Sequence, residues 1–132
     1  MPLLTRTFIK TAMVCLALAL AFGIALALGA TNGTFPIYIH LLVFGWLTQL
    51  IFGVVFWMFP KYSVEKPRGN EALGWWTYAL LNIGLLLRAI AEPINSYQPN
   101  LFSGWMLVLS AILQFLAGLM FVVNSWGRVK EK

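Results

Sequence analysis

The chain has 132 residues, 61% of them hydrophobic and only 10% charged, with a net charge of +5 and a mean hydropathy of +0.83. That balance leaves almost nothing for a soluble domain and no polar surface for a nucleic-acid footprint, so the positive charge reads as membrane topology and contact with anionic lipid. The single cysteine, Cys15, excludes an internal disulfide and a two-cysteine redox motif.

A crossing of the hydrocarbon core takes about 20 apolar residues, and the first run of that kind spans about residues 8–29. Its basic start (Arg6, Lys10) and the small residues of "ALGATNG" also suit a signal peptide, but the apolar part, Thr11 to Leu28, is longer than a usual signal core and points to a retained helix. Two small-residue stripes, Ala17–Ala21–Ala25–Gly29 and Ala19–Gly23–Ala27, lie on opposite sides of it, so it can pack closely on two faces. The second run, about 37–59, carries the only histidine, His40, one turn (~5 Å) inside its start. On a regular helix His40 shares a face with Val43, Phe44, Leu47, Ile51, Val54 and Met58, while Gln49 points to the opposite side.

A short polar loop, "KYSVEKPRGNEA", leads to the third run, about 73–94, which holds Arg88 and Glu92. The fourth, about 101–126, carries Met106 near its start and a stripe of Ser103, Ser110, Gln114 and Gly118 suited to hydrogen bonding across a helix interface. The expected fold is an all-α integral membrane four-helix bundle forming one domain. Arg6, Lys10, Lys61, Lys66, Arg68, Arg128, Lys130 and Lys132, eight of the nine basic residues, fall on one side when the termini share it. The positive-inside rule makes that side, with both termini, cytoplasmic, in a multi-pass protein of a bacterial-type inner membrane. Tyr38, Trp57, Tyr62, Trp75, Trp76, Tyr97, Trp105 and Trp126 fall near the expected interfaces, as an aromatic belt does.

This topology brings His40, Arg88, Glu92, Met106 and, somewhat deeper, Ser110 to one leaflet. Arg88 is the one basic residue outside the cytoplasmic set, and a lone arginine at a helix centre costs about 2.5–3.5 kcal/mol to insert, so it requires a partner. Glu92, four residues on, supplies one within the helix. The other reading is that Arg88 neutralises an anionic group of a ligand, a haem propionate or a lipid headgroup. His40 divides in the same way, between a hydrogen bond to a carbonyl, a tyrosine or water and ligation of a metal.

The segment "HLLVFGWLTQLIFGVVFWMFP" resembles the haem-bearing helix of the haem-copper oxidase superfamily. "LTRTFIKTAMV", "WMFPKYSVEKPRGNEALGWWTYALLNIGLLLRAIAEP" and "LQFLAGLMFVVNSW" are similar to short four-span membrane proteins related to the oxidase catalytic subunit, a likeness that covers nearly the whole chain. The resemblance implies a haem b bound through His40, with propionates meeting Arg88. A haem-copper centre needs a second haem ligand and three further histidines, and one histidine is present, so the binuclear chemistry of the oxidases is excluded for this chain alone. The sixth iron position then falls to His40 of a second copy across a symmetry axis, in a homo-oligomer with a dimer favoured, to Met106, or to a diatomic gas at an open site.

The expected function is therefore electron transfer or gas binding, with no catalytic constellation for turnover. The alternative is a cofactor-free accessory or assembly subunit of a membrane complex. A proton-coupled carrier needs an acidic residue deep in a span, and Glu92 lies too near the boundary.

Overall fold

The computed structural model describes residues 1–130, so Lys132 lies outside the described residues. Four helices follow in order: α1 (Leu3–Ala27), α2 (Thr34–Met58), α3 (Glu71–Tyr97) and α4 (Leu101–Trp126), each long and apolar enough to cross a membrane. α1 begins five residues before the expected start. Leu4, Thr5 and Phe8, spaced to share one face, are buried there while Arg6 stays exposed, so the first turn is already part of the packed helix. α3 runs on through Pro93 to Tyr97. Proline this close to a helix end removes one backbone donor near carbonyls that are losing their partners in any case.

The helices pack as two hairpins, α1 with α2 and α3 with α4. Leu4 and Phe8 of α1, Phe52 and Phe56 of α2, Leu81 of α3 and Ala117 of α4 form one cluster that joins all four helices in the basic half. Phe52 stacks on Phe121 at 3.9 Å between ring centroids, and Phe8 meets both Phe52 and Tyr78 edge-on. In the other half the buried cluster of Cys15, Ala19, Ile37 and Leu41 belongs to α1 and α2 alone. Of the two small stripes on α1, the side of Ala12, Cys15 and Ala19 faces inward, whereas Ala17 and Ala21 are exposed. A Cβ on Gly45 of α2 would come within 2.9 Å of the Cys15 Cβ, which shows how closely the backbones approach.

Between residues 41 and 48, α2 runs as a π-helix. Gln49 lies opposite the exposed face of Val43, Leu47, Ile51, Val54 and Met58, as the regular wheel places it. It is fully buried at the midplane, where its Nε2 donates to the Gly45 carbonyl (2.8 Å) and lies 4.0 Å from Cys15 Sγ. Its Oε1 accepts from Asn82 Nδ2 of α3 at 2.6 Å. Asn82 also donates to the Tyr78 carbonyl, and the Tyr78 hydroxyl pairs with Thr11 of α1 at 2.8 Å. These bonds link three helices across the apolar interior. On α4, Ser110 Oγ donates to the Gly84 carbonyl of α3 at 2.7 Å, as the polar stripe predicts.

At the basic end, the start of α1 (Leu4), the end of α2 (Phe56) and the start of α3 (Gly74) converge. Arg128, just beyond α4, closes this end. Its Nε donates to the Pro60 carbonyl (3.0 Å), Nη1 to Phe56 (2.9 Å) and Nη2 to Phe59 (2.7 Å). The guanidinium thereby satisfies carbonyls left without helical partners at the C-terminal end of α2, where a cation is also favoured by the helix dipole. Lys130 adds bonds to the Lys61 and Tyr62 carbonyls.

Candidate functional site

His40, the last residue before the π-helical stretch, is half-buried. Its Nδ1 lies 2.8 Å from the Pro36 carbonyl, one turn earlier. A carbonyl can only accept, so the proton sits on Nδ1 and the lone pair is left on Nε2. This is the arrangement by which a backbone carbonyl fixes the tautomer and the aim of a metal-ligating imidazole. Phe44 stacks on the ring at 5.7 Å between centroids, holding its plane. A π-helical segment beside a candidate ligand is a recurrent feature of functional sites.

Val43, Leu47, Ile51, Val54 and Met58 are all exposed, so the apolar face that includes them turns outward from the bundle. His40 and Phe44 lie at its edge. This face is therefore not core packing within the chain.

Arg88 and Glu92 form the one ion pair among the described residues, Nη1 to Oε1 at 2.8 Å, with side chains 17% and 13% exposed. The within-helix partner therefore exists. It does not use the guanidinium fully, because Arg88 Nε is buried with no acceptor. The histidine end of α2 is held against this part of α3. Gly33 packs so tightly on the Glu92 carbonyl that a Cβ would sit 2.6 Å from its oxygen, and its φ of +80° favours glycine in any case. No hydrogen bond joins His40 to Arg88 among the described residues; each is bonded within its own helix.

Met106 lies half-buried in the second turn of α4, which docks on α3. The packing of α4 against α2 is concentrated in the basic half, around Phe52 and Phe121. The structure thus brings the α2 and α3 candidates to one end, with Met106 in the hairpin of Arg88 and not in that of His40. No group of three or more His, Cys, Asp or Glu side chains able to hold a metal ion occurs among the described residues. The Gln49–Asn82 pair and the Arg128 clamp were missed by sequence reasoning. Both are contacts between residues far apart in the chain, thirty-three residues for the first and about seventy for the second.

No family model matches the chain, and no curated protein or solved structure shows significant similarity to it.

Proposed function

We propose that this is a haem b-binding membrane protein in which His40 Nε2 supplies an axial ligand and Arg88 meets a propionate. The reading extends to an inner membrane of bacterial type, with the basic end cytoplasmic. The observation that carries the haem assignment is the bond from His40 Nδ1 to the Pro36 carbonyl, which leaves Nε2 free at the edge of an outward apolar face. The donor chemistry fits, since a neutral imidazole with its second nitrogen bonded to a carbonyl is what an axial histidine requires. The outward face fits a flat apolar macrocycle only when a second surface covers it, and a second copy of the chain supplies one by symmetry. His40 of each copy then ligates one iron, a six-coordinate arrangement suited to electron transfer; Met106, in the other hairpin, is the weaker candidate for the sixth position. The haem, when bound, supplies a one-electron redox centre; this chain's residues bind it, orient it and balance its charge.

A second reading, a cofactor-free accessory subunit, draws on the Arg88–Glu92 pair, which balances the intramembrane charge without any ligand. Optical spectra of the purified protein, oxidised and reduced, separate the two. The haem reading expects a Soret band that shifts on reduction and is lost in His40→Ala. Wild-type protein made with haem in excess and showing no such band overturns the haem reading.

A further inference from the structure

The basic end carries a positive charge that the chain does not balance. Arg6, Lys10, Lys61, Lys66, Arg68, Arg128 and Lys130 gather there with only Glu65 and Glu71 among the described carboxylates, and the one ion pair lies at the other end of the bundle. Arg68 Nε is buried without an acceptor. The Arg128 pKa is lowered by burial and by the charge of Arg68.

At the same end is a cavity of about 250 Å³ between the 59–70 loop, the start of α3 and the end of α4, with Lys66 as its basic residue. Its wall is divided by chemistry. Leu73 of α3 and Val123 of α4 give an apolar side along the helices, whereas Tyr62 and Lys66 of the loop, with Asn124 of α4, give polar groups. The loop is fixed in place: Asn124 Oδ1 accepts from the Asn70 backbone N–H at 3.0 Å, and Gly69, with φ +71°, packs against the same oxygen. Asn70 caps α3 with its own side chain, so the helix end is already satisfied and the cation excess belongs to the lysine and arginine side chains.

We infer that this cavity binds one anionic phospholipid, its phosphate against Lys66 at the basic end and the start of an acyl chain along Leu73 and Val123. Basic pockets between membrane helices at the headgroup level recognise such lipids by this combination of charge and apolar wall. The site is separate from His40 and does not rest on haem.

The test uses the full chain in phosphatidylcholine nanodiscs doped with a minor fraction of phosphatidylglycerol, with lipids retained on the released protein counted by native mass spectrometry. One phosphatidylglycerol per chain is expected to be retained in preference to phosphatidylcholine. Lys66→Gln weakens retention about fivefold, and Val123→Trp, which fills the apolar wall without changing charge, also displaces the lipid. Lys10→Gln, which removes the same charge from α1, leaves retention unchanged. Equal losses from Lys66→Gln and Lys10→Gln would reduce the site to diffuse attraction, and equal retention of phosphatidylcholine would remove its charge selectivity; either overturns the assignment. Displacement of the lipid by inorganic phosphate at matched concentration assigns the cavity to a soluble phosphate ligand and overturns the lipid.

Discussion

Arg88 and Arg128 are both withdrawn from solvent, one at each end of the bundle, and they are held in opposite ways. Arg128, 2% exposed, spends Nε, Nη1 and Nη2 on three backbone carbonyls of one helix end and reaches them across about seventy residues of chain. Arg88 spends one bond on a carboxylate four residues away and keeps Nε buried without a partner. The first guanidinium is consumed by the fold. The second is neutralised in charge but not in hydrogen bonding, and its remaining donors are available to another acceptor. Burial of an arginine is thus no guide to its role; the count of donors left over is.

The contrast is tested most severely at Arg128. Arg128→Leu leaves three carbonyls at the end of α2 without their donor and should cost about 3 kcal/mol, since charge-assisted bonds to buried acceptors are among the stronger ones. Arg128→Lys keeps the charge at the helix dipole but not the planar fork, and should recover only a minor part of the loss. Reversible unfolding in mixed micelles measures both. A lysine variant as stable as wild type would show that charge alone holds this end.

At the other end, close backbone approach takes the place of the clamp. Gly33→Ala combines an unfavourable positive φ with a Cβ 2.6 Å from the Glu92 oxygen, and should destabilise by about 2 kcal/mol. Gly29→Ala isolates the first contribution, because Gly29 has φ +90° and nothing within 4 Å of the added carbon. It should cost about 1 kcal/mol. Equal losses at the two glycines would remove the contact with α3 as a tether for the histidine end.

How much of this was legible before folding depends on the range of the interaction. The four spans follow from run length, and the Arg88–Glu92 pair from a spacing of four, both local properties of the chain. The carbonyl partner of His40 was foreseeable as a type, though its identity as Pro36 needed the helix start. The start of α1 was signalled by the four-residue spacing of Leu4 and Phe8 but masked by Arg6 between them. The side of α2 that Gln49 takes was legible from the wheel, but its partner Asn82 was not, because the contact spans thirty-three residues of chain. Arg128 was read only as a topological charge, since the positive-inside rule treats Lys and Arg as equivalent and says nothing of what a guanidinium touches.

The Arg88–Glu92 pair sharpens the comparison at smaller magnitude. In a double-mutant cycle of Arg88→Gln and Glu92→Gln, the coupling should be about 1 kcal/mol, as befits a pair that is mostly but not wholly buried. Haem retention should move in opposite directions for the two single variants under the proposed function. Arg88→Gln removes the propionate partner and weakens it, whereas Glu92→Gln releases the guanidinium and strengthens it. Parallel changes would confine Arg88 to its pairing within α3.

The smallest effect is expected midway between the arginines. Asn82→Leu removes the 2.6 Å bond to Gln49 and should cost about 0.6 kcal/mol, the average for side-chain hydrogen bonds between membrane helices. Measured again in the Arg128→Leu background, the cost should be the same, because contributions from sites without shared partners add. A larger cost in that background would mean that the midplane bonds carry load once the basic end is opened. The two ends would then be coupled through Gln49, and the difference between the arginines would belong to one connected network instead of two separate ends.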